Sequence, residues 1–164
     1  MYEIKRDIRE KLPHTHKIFF SKFTKLTDVQ EQTIPIILNK KNALIISPTA
    51  SGKTEAVIVP ICERMVAEGN GKFNSKKLLL IYIIPTKALV NDIYKRLEYK
   101  LSRLNITSAS KTGDRDNFKI NQPQNVLFTT PEAVDSLLSR HPESFKEIKF
   151  VVMDELHFLD NNFR

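Results

Sequence analysis

The stretch Ser47–Ala56, SPTASGKTEA, decides the fold predicted for this chain. It follows the short apolar run Asn42–Ser47 and leads into the amphipathic stretch Lys53–Ala67, so we expect a strand before it and a helix after it. A Gly-Lys-Thr sequence at a strand-to-helix turn is typical of a loop that binds phosphate groups through backbone amides and the positive end of the helix dipole. The stretch therefore predicts a nucleotide site.

Each residue type in this loop suits one part of a nucleoside triphosphate. Lys53 is expected to reach the β and γ phosphates as a point charge, and the Thr54 hydroxyl to help hold Mg²⁺. Gly52 allows the backbone to approach the phosphates because glycine has no Cβ. In the general pattern Gly-x-x-x-x-Gly-Lys-Ser/Thr, Ser47 stands where the first glycine is usual. The alternative is a coincidental strand–helix turn, since Gly-Lys-Thr alone also occurs by chance.

Short apolar runs alternate with longer amphipathic stretches along the chain. The runs predicted as strands are Asn42–Ser47, Leu78–Ile84, Ile106–Ser110, Val126–Thr129 and Phe150–Met153. The stretches predicted as helices are Lys53–Ala67, Lys87–Leu104 and Pro131–Ser139. A run as apolar as Leu78–Ile84 suits a strand buried on both faces, as in a parallel sheet. The expected fold class is therefore α/β, with right-handed crossovers and ligands at the carboxyl ends of the strands.

Three local features qualify this pattern. Pro60 lies inside the helix predicted from Lys53 and is expected to kink or shorten it. Thr112–Gln124 is polar and irregular and is expected to form a surface loop. Cys62 is the single cysteine, so it cannot form an internal disulfide, and its apolar neighbours predict a buried side chain.

A second nucleotide motif is indicated by Val151–His157, VVMDELH, an apolar strand that ends in an acid pair. Asp154 is expected at the carboxyl end of this strand, holding Mg²⁺ through water, because magnesium keeps several waters and takes few protein carboxylates. Glu155 is expected to position and deprotonate the attacking water. We expect the turn holding Lys53 and this strand tip to converge on one magnesium-bound triphosphate. The alternative is a strand end followed by a solvated acid pair.

Composition bounds the class of protein and its partners. Lys and Arg outnumber Asp and Glu by 26 to 19, and the resulting net charge of +7 favours a polyanionic partner. No run of 18 or more apolar residues is present, which predicts no membrane span. Met1–Lys11 has no apolar signal core, so we expect a cytoplasmic location. No cluster of Cys or His has metal-ligand spacing.

The two motifs and their neighbours resemble those of superfamily 2 nucleic-acid helicases of the DExH kind, in particular the Lhr-like and DEAD/DEAH-box groups. The resemblance covers about residues 18–164 and implies a RecA-like P-loop domain. Five motifs in order carry it: the glutamine motif Leu26–Pro35, the phosphate loop, Pro85–Asp92, Thr130–Glu132 and Asp154–His157. The family has a glycine where this chain has Ala50, which is expected to stiffen the loop slightly without abolishing nucleotide binding.

The resemblance implies ATP and Mg²⁺ as the ligands of the first site. Gln30 matches the glutamine that reads adenine through its amide, with Phe20 or Phe23 packing on the base, although core packing is as good an account of both rings. The residues implied to contact the nucleotide are Gln30, Thr49, Ala50, Ser51, Gly52, Lys53 and Thr54. Catalysis is implied for Lys53, Asp154 and Glu155, magnesium binding for Thr54 and Asp154, and coupling between domains for His157.

Other motifs of the family face single-stranded DNA or RNA, whose phosphates are gripped by amides and hydroxyls at helix starts. The residues implied for this role are Pro85, Thr86, Lys87, Gly113, Thr130, Pro131 and Glu132. For Lys87 taken alone, the alternative is a solvated residue in the first turn of a helix. Backbone contacts of this kind leave the choice between DNA and RNA open.

The resemblance also defines what these 164 residues do not contain. We expect residues 1–24 to be an N-terminal segment and residues 25–164 a partial first RecA-like domain, without the strand ending in Ser-Ala-Thr and the second RecA-like domain that follow in the family. The second domain supplies arginines worth on the order of a thousandfold in rate, so the isolated chain is expected to bind Mg·ATP weakly and to turn it over negligibly. A sheet edge or apolar surface is expected to be exposed.

Three functional hypotheses stay open at this point. The first is the N-terminal motor domain of an ATP-dependent helicase, present here either as a fragment of a longer protein or as the product of a shortened gene. The second is a non-catalytic nucleotide- or nucleic-acid-binding module that needs a partner. The third is the ATPase domain of a DNA translocase of a defence system. The coding sequence that follows Arg164 would distinguish the first from the second.

Overall fold

Two units make up the computed structural model, residues 1–73 and residues 74–164. It describes residues 8–69 and 76–156. The named helices of the first unit are α1 (His16–Phe19), α2 (Asp28–Leu38) and α3 (Lys53–Glu68). The elements of the second unit are β1 (Leu80–Ile83), α4 (Lys87–Ser102), β2 (Ser108–Lys111), β3 (Val126–Thr129), α5 (Pro131–Arg140), a 3-10 turn (Pro142–Phe145) and β4 (Phe150–Met153). None of the described helices is long and apolar enough to cross a membrane.

Helix α2 begins at a capping box. The Thr27 hydroxyl accepts a hydrogen bond from the Gln30 amide, and the Gln30 side-chain oxygen accepts one from the Thr27 amide. These two bonds satisfy amides that the first turn of a helix leaves without partners. The buried residues Gln30, Thr33, Ile34 and Ile37 follow the helical repeat, and the helix packs against α3.

Helix α3 runs unbroken from Lys53 to Glu68 although Pro60 lies inside it, so Pro60 does not shorten the helix. The kink that was expected as the alternative stays a prediction. A proline inside a helix removes one backbone hydrogen bond and costs about 3 kcal/mol. The side chains around it offset this cost, because Ile58, Val59 and Ile61 are at most 4% exposed. The prediction for Cys62 is confirmed: it is fully buried, and burial, aided by the charge of Glu63, raises the pKa of its thiol.

The segment before the phosphate loop departs from the prediction. Asn42–Ser47 was expected as a strand, but the structure has no strand there. Leu44 is 74% exposed and Ile46 is 89% exposed. A strand forms only where a neighbouring strand bonds its amides and carbonyls, and the described residues of the first unit contain no such strand. The apolar run supplies suitable side chains, but the described part of its own unit offers its backbone no strand partner.

The sheet of the second unit is parallel throughout and has the order β2-β3-β1-β4. This confirms the α/β class with a parallel sheet. On one face, the ring of Tyr82 lies 5.6 Å from that of Phe128, which Tyr94 of α4 meets edge-on at 6.0 Å. On the other face, a buried cluster joins the strands to α5 and to the segment before β3. The cluster consists of Leu78, Ile81, Ala109, Phe118, Leu127 and Leu137.

Strand β4 lies at one edge of this sheet, and part of it is uncovered. Val151 is 60% exposed and Met153 is 46% exposed, and both pair in register with residues of β1 whose side chains join the buried cluster or pack against it. Two apolar side chains of the edge strand β4 are thus exposed, whereas exposure of its backbone edge stays a prediction. The bounds of β3 and β4 are those predicted, whereas β1 is shorter and β2 lies slightly later in the chain.

The segment Thr112–Gln124 is more ordered than the predicted surface loop. The Thr112 amide donates to the Arg115 carbonyl at 2.7 Å, and the Arg115 amide donates to the Thr112 hydroxyl at 3.2 Å. Phe118 is 8% exposed and belongs to the buried cluster of the sheet. The polar pattern of the stretch did not indicate this order, because a single aromatic residue, Phe118, packs the segment against the sheet.

A buried carboxylate fastens the N-terminal residues to helix α3. Glu63 is 4% exposed and accepts hydrogen bonds from the amides of His14 and Thr15 and from the Thr15 hydroxyl. The His14 ring also bonds to Glu63, with 2.5 Å between Nδ1 and Oε1. A buried carboxylate is tolerated only when such donors surround it, so Glu63 links two segments that are distant in sequence.

Replacing Glu63 by alanine should destabilise the protein strongly, because the buried amide and hydroxyl of Thr15 and the partly buried amide of His14 would lose their acceptor. We expect the free energy of unfolding to fall by roughly 2–4 kcal/mol, measured by urea titration with circular dichroism. Glu68→Ala is the matched control in the same helix: its ion pair with Arg64 is 3.9 Å long and partly exposed, so the loss should stay below about 0.5 kcal/mol. Equal losses in the two variants would contradict the role assigned to Glu63.

Candidate nucleotide and nucleic-acid site

Two residues of the phosphate loop have left-handed backbone conformations. The φ angle of Ala50 is 58° and that of Gly52 is 91°. A Cβ at Gly52 would lie 2.4 Å from Nε2 of Gln30, so both the conformation and the space require glycine there. Ala50 carries a Cβ in the left-handed region at a cost of roughly 1–2 kcal/mol. The tight turn expected where the family has glycine is thus present at Ala50.

The ammonium group of Lys53 is bonded to the loop that precedes it. Nζ donates to the carbonyl of Ser47 at 2.7 Å and to that of Pro48 at 2.9 Å. The hydroxyls of Ser47 and Ser51 share a hydrogen bond of 2.8 Å across the loop. Helix α3 begins directly after Gly52, which has no side chain to cap the amides of the first turn. A lysine charge beside an uncapped helix N-terminus fits the chemistry of a polyphosphate.

Gln30 is the second residue at this loop. Its Nε2 donates to the Gly52 carbonyl at 3.3 Å, and its Oε1 accepts from the Thr27 amide at 3.1 Å. Gln30 is 7% exposed. Each end of the amide has thus made one bond within the protein, and each end retains one further bonding position, since an amide NH₂ has two hydrogens and the oxygen two lone pairs. The structure brings Gln30 and the phosphate loop together, as their shared assignment to the nucleotide requires.

In the second unit, predicted residues follow three neighbouring strands at one edge of the sheet. Thr86 and Lys87 come after β1, Thr130 and Pro131 after β3, and Asp154 directly after β4. Because the strands are parallel, their carboxyl ends lie on the same side, where ligands of open α/β sheets bind.

Asp154 is held in position by three contacts. Its amide donates to the Ile83 carbonyl at 2.9 Å, which extends the pairing of β4 with β1. Its Oδ1 accepts from the Glu155 amide at 3.0 Å, and its Oδ2 accepts from the Tyr82 hydroxyl at 3.2 Å. The φ angle of Glu155 is 50°, a left-handed conformation that is strained for a residue with a side chain. The acid pair is therefore fixed by the sheet and by a neighbouring tyrosine.

Tyr82 is a residue at this site that sequence reasoning did not identify. It was read only as one member of the apolar run Leu78–Ile84. The signal was its hydroxyl: a tyrosine buried to 2% exposure in a central strand needs a hydrogen-bond partner, and the end of a neighbouring parallel strand is within its reach.

The segments predicted to bind nucleic acid differ in exposure. Thr86 caps α4 by accepting a hydrogen bond from the Leu89 amide at 3.3 Å, and Thr86 and Lys87 are both exposed. Pro131 occupies the first turn of α5 and Glu132 is exposed, but Thr130 is only 4% exposed. A phosphate at α5 would therefore meet the amides of the first turn rather than the Thr130 hydroxyl.

Lys87 and Gly113 are brought together by the structure. A Cβ at Gly113 would lie 3.2 Å from Nζ of Lys87. The same ammonium group forms an ion pair with Asp114, at 2.9 Å from each carboxylate oxygen. The sequence motifs assign no role to Asp114.

Other predicted roles concern residues that the structure describes separately or not at all. Lys53 belongs to the first unit and Asp154 to the second, so their convergence on one triphosphate stays a prediction. His157 lies outside the described residues. Within residues 8–69 and 76–156, no group of three or more His, Cys, Asp or Glu could hold a metal ion. A magnesium ion carried by phosphates needs fewer protein ligands, and Thr54 and Asp154 are of the right chemical type.

Comparisons with known proteins identify the family to which the chain belongs. The family model described as DEAD/DEAH box helicase matches residues 27–164. The ATP-dependent helicase Lhr-Core of Sulfolobus acidocaldarius is 32% identical over 93% of this chain, and the match covers 19% of that protein. The ATP-dependent DNA helicase MER3 of Saccharomyces cerevisiae is 34% identical over 89% of the chain and 12% of the relative. The chain thus spans about a fifth of the length of Lhr-Core, or less for MER3.

Solved structures give the same result. The structure of Mycobacterium smegmatis Lhr bound to ssDNA and AMP-PNP has a TM-score of 0.75 and 27% identity, over 87% of this chain and 20% of that one. The DEAD-box helicase Mss116 bound to ssRNA and UDP-BeF has a TM-score of 0.74 and 25% identity, over 89% and 31% of the two chains. The fold is that of RecA-like helicase domains. From its sequence and its fold alike, the chain belongs to the DEAD/DEAH box helicase family.

Proposed function

We propose that this chain is the N-terminal ATP- and nucleic-acid-binding motor domain of an ATP-dependent DNA or RNA helicase, with residues 25–164 as a partial first RecA-like domain. The observation that carries the proposal is the arrangement at the carboxyl ends of the β-strands. There, an acid pair and two segments predicted to bind nucleic acid follow adjacent parallel β-strands. Relatives of the same family that are solved with ssDNA or ssRNA and a nucleotide analogue support it. We expect a second RecA-like domain in the full-length protein.

At the nucleotide, the residues of the chain bind, orient and neutralise charge. Lys53 exchanges its contacts with the Ser47 and Pro48 carbonyls for oxygens of the β and γ phosphates. The amides of the loop and of the first turn of α3 receive the remaining phosphate oxygens. Thr54 and Asp154 would hold Mg²⁺, which would supply charge neutralisation, and Glu155 would accept the proton of the attacking water.

The base is read by Gln30 through the bonding positions that its amide retains. Of the two aromatic candidates for packing on adenine, Phe20 is 2% exposed and Phe23 is 60% exposed. A ring that is already buried cannot present a face to a base without leaving its core contacts. We therefore assign the stacking role to Phe23 and the core-packing role to Phe20.

The nucleic acid binds along the strand ends of the second unit, mainly through its phosphates. Thr86, Lys87 and Gly113 follow β1 and β2, and Pro131 and Glu132 start α5 after β3. Contacts of this type are independent of sequence and weaken with salt, because phosphate binding releases counterions. Domain closure driven by ATP would then shift the bound strand.

Substituting Lys53 by alanine should abolish measurable ATP binding, because the phosphates lose the cation that neutralises them. Isothermal titration calorimetry with the wild-type chain and the variant measures this affinity. Lys41→Ala is the control, since Lys41 is an exposed lysine outside the loop. Unchanged ATP affinity in Lys53→Ala, with a melting temperature like that of the wild type, would rule out the phosphate-loop assignment.

Substituting Tyr82 by phenylalanine should weaken ATP binding only when Mg²⁺ is present. The variant keeps the ring contact with Phe128 but removes the hydroxyl that positions Oδ2 of Asp154. We expect a loss of roughly 3–10-fold in affinity with Mg²⁺ and none with EDTA, by fluorescence titration of a labelled ATP analogue. Tyr99→Phe is the matched control, because Tyr99 is 70% exposed on α4. An equal loss with and without Mg²⁺ would argue against positioning of Asp154.

These 164 residues alone should hydrolyse ATP only slowly, with or without single-stranded nucleic acid, because arginines of a second domain contribute on the order of a thousandfold to the rate. A coupled steady-state assay measures this. In a longer version that carries both domains, Glu155→Gln should retain ATP binding and lose hydrolysis. Nucleic-acid-stimulated turnover by the isolated chain at the rate of whole helicases would contradict the expectation.

A further inference from the structure

We propose that Asp114 competes with the nucleic-acid phosphate for Lys87, so that a nucleic-acid strand binds this lysine only by displacing the Asp114 carboxylate. The inference rests on the proposed binding of single-stranded nucleic acid and adds a residue that sets the affinity for it. Asp114 would then be a specificity-determining residue beside the binding site, because it weakens the binding of ligands that cannot displace its carboxylate from Lys87.

The geometry of the ion pair is the first argument. Nζ of Lys87 lies 2.9 Å from Oδ1 and 2.9 Å from Oδ2 of Asp114, so the ammonium group is centred on the carboxylate. The side chain of Lys87 is 52% exposed and that of Asp114 is 77% exposed. The pair is therefore open to solvent, and a phosphate can reach the ammonium group in the same way as the carboxylate does. The Asp114 carboxylate and a phosphate are both anions that bind an ammonium group, so they compete for the single charge of Lys87.

The loop that carries Asp114 is the second argument. Reciprocal contacts between Thr112 and Arg115 close the turn around it, at 2.7 Å and 3.2 Å. The guanidinium of Arg115 lies 5.0 Å from the centre of the Tyr94 ring, which fastens the turn to α4, the helix that also carries Lys87. Asp114 is thus presented to Lys87 by an ordered turn rather than by a long flexible segment.

Gly113 completes this arrangement. A Cβ at this position would lie 3.2 Å from Nζ and 3.4 Å from Cε of Lys87, so the lysine side chain crosses the loop directly over the glycine. A Cβ there would require the lysine side chain to move by a few tenths of an ångström. The small size of Gly113, a residue predicted to contact the nucleic acid, thus lets the lysine side chain pass close to the loop beside Asp114.

The same turn contains an internal comparison. Asp116 also carries a negative charge, but it pairs with Lys111 of β2, whose side chain is only 19% exposed. The two aspartates therefore neutralise different lysines. Lys87 is the more exposed of the two lysines, and it is one of the residues predicted to contact the nucleic acid. Removing either acid changes the net charge of the turn by the same amount. Only removal of Asp114 frees Lys87.

The experiment measures the binding of a fluorescently labelled single-stranded DNA of about 20 nucleotides, and of the RNA of the same sequence, by anisotropy at about 50 mM salt. It compares the wild-type chain with Asp114→Asn, Asp116→Asn, Lys87→Ala and the double variant Lys87→Ala/Asp114→Asn. Removing one partner of an exposed charge pair has a small effect, so we expect Asp114→Asn to tighten binding by roughly 3–5-fold and Lys87→Ala to weaken it. Asp116→Asn should stay within about twofold of the wild type.

The double variant decides between competition and a general charge effect. If Asp114 acts through Lys87, Lys87→Ala/Asp114→Asn binds no more tightly than Lys87→Ala. An equal gain in Asp114→Asn and Asp116→Asn, or a gain from Asp114→Asn that persists without Lys87, overturns the inference and leaves the proposed function standing. Absence of binding by the wild type and every variant overturns the proposed function, and the inference with it.

Discussion

The parallel pairing of β1 with both β3 and β4 is the constraint on which the proposed site in the second unit depends. Because the β-strands are parallel, all their carboxyl ends lie at the same end of the sheet. The pairing alone therefore brings Thr86, Pro131 and Asp154 to that end. The pairing also explains why Tyr82 reaches Asp154: Tyr82 is in register with Val152, which lies two positions before Asp154 in the neighbouring strand. A change of register would break this contact as well as the packing of both faces.

Much of this could be predicted from the sequence, because the signals are local. Short apolar runs that alternate with amphipathic stretches predicted β3 and β4 at their observed bounds, and Gly-Lys-Thr marked the start of α3. The strand predicted at Asn42–Ser47 is absent because pairing depends on a backbone partner, which side-chain pattern does not report. The continuity of α3 through Pro60 was missed for a related reason: burial of the surrounding residues offsets the lost hydrogen bond, and burial is a property of the fold.

Contacts between segments distant in sequence account for the parts of the site that were not predicted. Tyr82 and Asp154 are 72 residues apart, and Lys87 and Asp114 are 27 apart. Motif spacing identifies which residues bear the chemistry, but it does not identify the neighbours that orient or neutralise them. Glu63 belongs to the same class, since nothing in the sequence near His14 indicates that its amide bonds to a carboxylate in α3.

The contacts of Lys53 with the Ser47 and Pro48 carbonyls have a consequence for how affinity at this loop should be understood. In the proposed binding mode, Lys53 has oxygen ligands both before and after binding, because phosphate oxygens of the nucleotide replace the two carbonyls. The measured affinity is then a difference between the resting loop and the loaded one. Sequence changes that touch no nucleotide atom, such as those that loosen the Ser47–Ser51 bridge, can therefore strengthen binding by destabilising the resting arrangement.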